Sequence, residues 1–286
     1  MINLENMKLV FEENFETELQ EGNWADSIYT ERFVPEIWHF GTCKDIDGNI
    51  ADKPSALVDT NISVKDGKLI LTGKGRDEDT YTGSEIRTKE FFNYGYFEIK
   101  ARICSSKGIC PAFWLLGSRD SASKIEYEVD IFECFGRMPG VIKNTLLAHN
   151  YPLGSQGGNH GTAHRFIYNR LSPEPFPKEQ MPKLFSDNSN KTFFAGNWNE
   201  EFHTFGLDWQ KDSITWYVDG EAILTARLGE DLDGECKYIY NEPMRVILTC
   251  YAGRDVCSPL TGFPDETTDW ENGNFMEVEY LKVWQY

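Results

Sequence analysis

Long apolar runs and basic residues are both scarce in this sequence. No segment of the 286 residues approaches the roughly 20 consecutive apolar residues that a membrane-spanning helix needs. The 28 Lys and Arg residues stand against 46 Asp and Glu residues, which gives a formal net charge of -18. A field of that sign repels phosphate backbones and anionic lipid surfaces. We therefore expect a soluble protein without a nucleic-acid or membrane partner, and a neutral partner fits the charge best.

Paired cysteines are also missing. The cysteines are scattered without a CxxC pair, which argues against a zinc ribbon and against a full disulfide framework. We expect most of them to be buried thiols. Cys104 and Cys110, in CSSKGIC, could face each other across a hairpin turn and form a disulfide in an oxidising compartment. The cysteines are Cys43, Cys104, Cys110, Cys134, Cys236, Cys250 and Cys257.

The N-terminal segment lacks the pattern of a signal peptide. It reads MINLENMKLVFEENFE, without a basic start followed by an apolar run. The cellular location is therefore left open. The protein either stays inside the cell, or is extracellular or periplasmic and has lost a leader.

Helical periodicity is almost absent, and β-rich runs follow one another instead. Examples are GKLILTGKG, GYFEIKARI, SITWYVDGEAILTA and MEVEYLKVWQY. Asp66-Gly67 and Asp219-Gly220 stand between alternating segments and are typical of tight hairpin turns. This pattern predicts an all-β sandwich of antiparallel sheets in a single domain over residues 1–286.

Glycine and proline are concentrated at about residues 151–199. The runs GSQGGNHGTAH and SPEPFPKEQMPK lie there. So much irregular chain inside a compact domain usually serves a binding face. We interpret the segment as a long loop insertion over one face, and a surface excursion without a binding role is the alternative.

One β-rich run, KIEYEVDIFECFG at residues 124–136, is crowded with carboxylates. Side chains alternate along a strand, so Glu126, Glu128 and Asp130 share one face. Three acids on one face of a packed sheet repel and desolvate one another, unless that face is an open, wet groove. Acidic alternation alone is more typical of a strand whose polar face is simply solvated.

Glu133 lies five residues beyond Glu128, an odd step that would turn it to the opposite face. A β-bulge between Asp130 and Glu133 would restore the parity and bring Glu133 beside the other acids. The Glu128 and Glu133 backbones would then lie four strand steps apart, about 13 Å at roughly 3.3 Å per residue. Side chains leaning towards each other would bring the carboxyls to about 5 to 6 Å, the separation of a retaining glycosidase pair.

That geometry predicts distinct roles for the acids. Glu128 would attack the anomeric carbon, and Glu133 would protonate the leaving oxygen and later activate water. Asp130, between them on the same face, would hydrogen-bond the nucleophile. Trp114, in PAFWLLG just before this strand, would offer an aromatic face to a sugar ring.

These residues resemble a known family. EVDIFE is similar to the ExDxxE signature of glycoside hydrolase family 16, in its bulge-containing form. YTGSEIRTKEFFNYGYFEIKARI, PAFWLLG, FHTFGLDWQKDSITWYVDG and MEVEYLKVWQY resemble further strands of that family, in the family's order from about Leu9 to the C-terminus. The resemblance implies a β-jelly-roll of two curved antiparallel sheets with a concave cleft, and endo-acting, retaining hydrolysis of β-linked polysaccharide. It also assigns Glu128, Asp130 and Glu133 the roles given above, and it implies Trp114 and His149 as substrate-binding residues.

Departures from the family pattern concern the substrate. Cys110 stands where the family has Trp, Glu85 where Arg is frequent, and no Trp-Pro precedes the signature. A β-1,3- or mixed-linkage β-glucan is favoured on family frequency. A galactose-containing glycan of agar, porphyran, keratan or mucin type is the alternative, and a non-catalytic lectin or a transglycosylase is compatible with the same fold.

The resemblance implies no cofactor for catalysis. Family members often carry a structural calcium, and Glu13 and Glu277 are candidate acids near the two ends of the chain. No catalytic metal is expected. We expect a monomer whose partner is a polysaccharide or oligosaccharide substrate.

Overall fold

Two β-sheets, antiparallel except for one parallel strand pair among the described residues, pack face to face and make up most of the structure. The computed structural model describes residues 2–42, 50–118, 125–136, 141–150, 159–160, 164–169, 198–227, 242–253 and 261–286. The helical turns in these ranges are the short 3-10 segments Trp24–Asp26, Ile28–Glu31 and Asp59–Asn61. No helix in the described ranges is long and apolar enough to span a membrane. The predicted all-β sandwich is confirmed.

The first sheet, called the back sheet, contains the hairpins that the sequence predicts. Its strands are β1 (Lys8–Glu13), β5 (Ile62–Lys65), β6 (Lys68–Thr72), β8 (Gly95–Ser105), β14 (His203–Trp209), β15 (Ser213–Val218), β16 (Glu221–Arg227) and β18 (Asn274–Gln285). The order is β16-β15-β14-β8-β18-β6-β5, with β1 beside β18. Asp66-Gly67 and Asp219-Gly220 have φ of 51°, 68°, 50° and 73°. Positive φ at both central residues is the requirement of a type I′ turn.

The second sheet, called the front sheet, carries the acidic strand near its middle. Its strands are β2 (Phe33–Pro35), β3 (Trp38–Gly41), β4 (Ser55–Leu57), β7 (Tyr81–Thr88), β9 (Ile109–Gly117), β10 (Ile125–Cys134), β11 (Val141–Asn150), β12 (Asn159–His160), β13 (His164–Asn169) and β17 (Met244–Ala252). The order is β12-β11-β10-β9-β17-β7-β4-β3, with β13 on β11 and β2 on β7. Of the predicted insertion, the parts at 151–158, 161–163 and 170–197 lie outside the described residues.

The core lies between the sheets and follows from the alternation of each strand. In β8, Phe97, Ile99 and Ala101 are fully buried, while the charged residues between them point outwards. Phe113 of β9 and Leu248 of β17 enter the same cluster from the front sheet. Burying each large apolar side chain contributes roughly 1.5 to 3 kcal/mol. One face of each front-sheet strand therefore packs into this core, and the opposite face is available for the acids of β10.

The strand β10 contains a bulge at Ile131. Against β9, Asp130 pairs with Trp114 and Phe132 with Phe113, which leaves Ile131 as the extra residue. The pairing with β11 shows the same shift between Asp130 and Glu133. The bulge predicted from the odd spacing of the acids is confirmed.

An indole from the back sheet supports this bulge. The Nε1–H of Trp216, on β15, donates a hydrogen bond of 2.9 Å to the backbone carbonyl of Asp130. Trp216 is fully buried. A bulge interrupts the ladder of backbone hydrogen bonds, and a buried carbonyl without a donor costs free energy. Trp216 therefore satisfies the backbone at the irregular position of the front sheet.

The described cysteines are thiols. Cys104, Cys110, Cys134 and Cys250 are buried and form no disulfide. The disulfide considered between Cys104 and Cys110 is thus not formed. Burial raises the pKa of the Cys104 thiol to about 11, so this thiol stays protonated at neutral pH.

We expect Trp216→Phe to destabilise the protein more than a comparable loss elsewhere in the core. The substitution keeps an aromatic ring but leaves the Asp130 carbonyl without its donor, at a cost of about 1 to 3 kcal/mol in the free energy of unfolding. Trp209→Phe is the matched control. Trp209 is equally buried, but its Nε1 has no hydrogen-bond partner among the described residues. Urea unfolding measures both, and equal losses would contradict a role for the Trp216 hydrogen bond.

Candidate active site

Three of the four acids of β10, namely Glu128, Asp130 and Glu133, share one face of the front sheet. Opposite residues of an antiparallel pair point to the same side. Glu128 pairs with Leu116, Asp130 with Trp114 and Glu133 with Ala112. Residues 112, 114 and 116 alternate along β9, so all three acids lie on the side away from the core. The predicted common face is confirmed for Glu128, Asp130 and Glu133, whereas the side chain of Glu126 lies outside the described residues.

The register also fixes the spacing between Glu128 and Glu133. Their partners, Leu116 and Ala112, are four residues apart on β9, which is about 13 Å of strand. The carboxyl separation of about 5 to 6 Å expected from the sequence stays a prediction, because it also depends on the direction of the two side chains. Asp130 and Glu133 are 3% and 7% exposed, and Glu128 is half-buried. The acids thus line a partly enclosed surface, as expected of groups that exchange a proton with a bound substrate.

The same face continues across β17 and β7. Trp114 pairs with Ile247, and Ile247 with Arg87; Ala112 pairs with Thr249, and Thr249 with Glu85. Leu116 pairs with Arg245. We call this surface the cleft floor. It consists of Glu128, Asp130, Glu133, Ala112, Trp114, Leu116, Arg245, Ile247, Thr249, Glu85 and Arg87.

Glu85 is the most buried charge of the cleft floor. Its side chain is 0% exposed, and its Oε1 accepts a 2.5 Å hydrogen bond from Arg87 Nε. The hydroxyl of Tyr251 donates to Oε2 at 2.9 Å. Burial raises the pKa of the Glu85 carboxyl, and the charge of Arg87 and the hydrogen bonds oppose that effect. Arg87 also pairs with Glu36 at 3.2 Å, so the guanidinium lies between two carboxylates.

Trp114 is held by a hydrogen bond on the cleft floor. Its Nε1–H donates to Thr249 Oγ1 at 2.9 Å. The indole is half-buried and pairs across β9 and β10 with Asp130. Trp114 therefore lies beside the predicted catalytic acids, where the sequence pattern places a sugar-stacking ring.

His149 lies at the other end of β10 from Glu133. The register pairs His149 with Glu126, whereas Glu133 pairs with Lys143, six residues away along β11. The side chain of His149 lies outside the described residues. Its predicted contact with substrate stays a prediction, and its backbone is nearer to Glu128 than to Glu133.

Sequence reasoning missed Trp38 at the far edge of the same face. Trp38 pairs with Leu57, and Leu57 with Gly83, which shares the cleft side of β7 with Glu85. Trp38 is 54% exposed. Five strand spacings separate β3 from β10, which is about 24 Å. A single exposed Trp is common in proteins, so only the register could have shown that this one extends the cleft floor.

The candidate calcium ligands have other partners. Glu13 Oε2 pairs with Arg32 at 2.8 Å, and Glu277 Oε2 pairs with Arg102 at 2.8 Å. Among the described residues, no group of three or more His, Cys, Asp or Glu could hold a metal ion. Each of these two acids is thus paired with an arginine, and the structural calcium stays a prediction.

Comparisons with known proteins agree with this fold. The laminarinase from Flavobacterium sp. UMI-01 matches with a TM-score of 0.63 at 24% identity, over 97% of this chain and 100% of that chain. This likeness shows the β-jelly-roll sandwich. A glucan endo-1,3-beta-glucosidase of Cryptopygus antarcticus is 28% identical over 291 residues, which cover 96% of this chain and 92% of that protein. The endo-1,3-1,4-beta-glycanase ExsH of Rhizobium meliloti (strain 1021) is 28% identical over 82% of this chain but only 42% of its own length.

A family model identifies the chain more specifically. The model of the beta-porphyranase A-D, GH16 domain, matches residues 38–286. That match spans most of the chain, including all of the cleft floor and the bulged acidic strand. The chain therefore belongs to glycoside hydrolase family 16, and it is a glycoside hydrolase of the endo-β-glycanase type.

Proposed function

We propose that the chain hydrolyses internal β-glycosidic bonds with retention of anomeric configuration. Glu128 attacks the anomeric carbon, and the bond to the leaving oxygen breaks as that oxygen takes a proton from Glu133. Glu133 then removes a proton from water, which attacks the same carbon and releases Glu128. Asp130, between the two, hydrogen-bonds Glu128 and keeps the roles of the two glutamates distinct.

The bulge at Ile131 is the observation that carries this proposal. Without the extra residue, Glu133 would point into the core with its neighbours of opposite parity. With it, Glu133 and Glu128 lie on the cleft floor four strand steps apart. Over that backbone spacing, side chains that lean together would hold their carboxyls about 5 to 6 Å apart, which favours a retaining pair. Inverting enzymes separate their carboxyls by about 6.5 to 9.5 Å to admit a water molecule.

A neutral β-1,3- or mixed-linkage β-glucan is the substrate we propose first. The relatives from Cryptopygus antarcticus and Rhizobium meliloti are named for β-1,3- and β-1,3-1,4-glycan cleavage. The cleft floor carries the carboxylates of Glu128, Asp130, Glu133 and Glu85 against the guanidiniums of Arg87 and Arg245. An excess of negative charge there disfavours sulfated or uronic chains.

A galactose-containing glycan is the second candidate. The family model that matches residues 38–286 is that of the beta-porphyranase A-D, GH16 domain. Cys110 and Glu85 stand where glucan-cleaving relatives were expected to have Trp and Arg, and both positions lie on or beside the cleft floor. This candidate requires a pocket that accepts an axial hydroxyl at C4.

Substitution of each glutamate separates the two catalytic roles. Glu128→Gln should abolish turnover, because the amide cannot attack the anomeric carbon. Glu133→Gln should lower kcat on natural glycans by about 10² to 10⁴, the usual contribution of a general acid, but much less on aryl glycosides whose leaving groups need no proton. Thermal melting serves as the control for folding. Full activity of Glu128→Gln, or equal losses of Glu133→Gln on both substrate types, would contradict the roles.

A polysaccharide panel tests the substrate. New reducing ends should form from laminarin and mixed-linkage glucan, and soluble products of several lengths should appear early because cutting is internal. Agarose, porphyran and a keratan-type glycan form the comparison set. Cleavage of a galactan alone would replace the glucan proposal, and binding to a glycan without any new reducing end would favour a lectin.

Trp38 provides a test of cleft length. Trp38→Ala should raise KM for long oligosaccharides several-fold, because loss of a stacking ring removes about 0.5 to 1.5 kcal/mol. It should leave turnover of a trisaccharide unchanged, since Trp38 lies about 24 Å from β10. Trp38→Phe keeps a ring and should behave like the natural protein. A loss that is independent of chain length would show that Trp38 does not bind distal sugars.

A further inference from the structure

One line of hydrogen bonds joins Trp114, Thr249 and Glu85 across three strands. Trp114 Nε1 lies 2.9 Å from Thr249 Oγ1, and Thr249 Oγ1 lies 3.1 Å from Glu85 Oε2. The three residues are on β9, β17 and β7, which are neighbours in the front sheet. A buried carboxylate is thereby connected to the aromatic ring beside the catalytic acids.

The chemistry of each group fixes the direction of this line. An indole N–H is only a donor, so Thr249 Oγ1 accepts the hydrogen bond from Trp114. The hydroxyl proton of Thr249 is then directed to Glu85 Oε2, which also accepts from Tyr251. Arg87 donates to the other oxygen of Glu85. Each member therefore has a defined partner, and the line ends on a carboxyl that is itself held in place.

Burial argues that Thr249 and Glu85 do not meet the sugar themselves. Both are 0% exposed, whereas Trp114 is half-buried and therefore keeps part of its surface accessible. A buried carboxyl and hydroxyl carry a desolvation cost that a purely apolar floor would avoid. Thr249 accepts the hydrogen bond of the Trp114 indole and donates its own to Glu85, so the pair is placed to fix the orientation of the indole.

We propose that Glu85 and Thr249 are positioning residues that lock the Trp114 indole, so that Trp114 meets the sugar with its ring face and not with its N–H. The proposal depends on the proposed retaining glycanase function only where it states that a sugar contacts the Trp114 ring. Glu85 thus has a defined role at the position where Arg was expected. The same hydrogen bonds fix the plane of the Trp114 ring relative to Asp130, the cross-strand partner of Trp114.

The first test measures the indole directly and needs no activity. In a protein labelled with ¹⁵N-tryptophan, the Trp114 Nε1–H resonance is the one that disappears in Trp114→Phe. Thr249→Val keeps the side-chain shape but removes the acceptor, so this resonance should shift and its hydrogen exchange should accelerate about tenfold, the effect of losing one buried hydrogen bond. Thr249→Ser, which keeps the hydroxyl, should exchange within about twofold of the natural protein. An unchanged Trp114 resonance in Thr249→Val would overturn the proposal.

Glu85→Gln provides a second variant that probes the far end of the line. It keeps the side-chain shape, but its amide cannot accept at both oxygens as the carboxylate does. The Trp114 resonance should shift in the same direction as in Thr249→Val, by a smaller amount. A shift in Thr249→Val with none in Glu85→Gln would limit the positioning role to Thr249 and overturn the part assigned to Glu85.

The second test is a double-mutant cycle on a glycan that the natural protein cleaves. Thr249→Val should lower kcat/KM about tenfold, mainly through KM, since a misplaced ring weakens sugar binding. In a Trp114→Phe background the same substitution should change kcat/KM by less than about twofold, because the group it positions is gone. Additive losses would show that Thr249 acts on substrate by another route and would overturn the proposal. If the natural protein cleaves no glycan, the proposed function fails, and the resonance of Trp114 still decides the positioning role.

Discussion

The β-bulge at Ile131 is the constraint on which the cleft depends. Side chains alternate along a strand, and an acid five residues from another would point into the hydrophobic core. One extra residue in β10 changes the parity beyond Asp130 and brings Glu133 to the face of Glu128. The same shift lets Phe132 enter the core beside Phe113. A single inserted residue thus serves the cleft floor and the packed face together.

The two sheets contribute differently to this arrangement. The front sheet supplies the acids and the aromatic ring, while Trp216 of the back sheet donates a hydrogen bond to the irregular backbone at Asp130. Within the front sheet, Thr249, Tyr251 and Arg87 surround Glu85 with hydrogen bonds. The cleft floor is therefore supported by contacts from the back sheet and by a buried polar network within the front sheet. Preorganised supports of this kind hold a site in its reactive geometry.

Some of this could be predicted from the sequence because it is local. The hairpins at Asp66-Gly67 and Asp219-Gly220 and the parity of the acids follow from short-range rules of turns and strands. The Trp216 hydrogen bond joins residues 86 positions apart, and the Thr249 to Glu85 hydrogen bond joins residues 164 positions apart. Such contacts depend on strand order and register, which no single strand encodes. Glu85 was visible in the sequence only as an unusual residue, and Trp38 only as one aromatic among many.

The anomeric form of the first product tests the central claim most directly, because it reports the separation of the two carboxyls that the bulge brings together. Proton NMR of a glycan during the first minutes of cleavage distinguishes the two anomers at the new reducing end before they interconvert. Carboxyls about 5 to 5.5 Å apart give retention, so the β-anomer should appear first. Initial release of the α-anomer would mean that water attacks directly across a wider gap, and would contradict the account of Glu128 and Glu133 as a retaining pair.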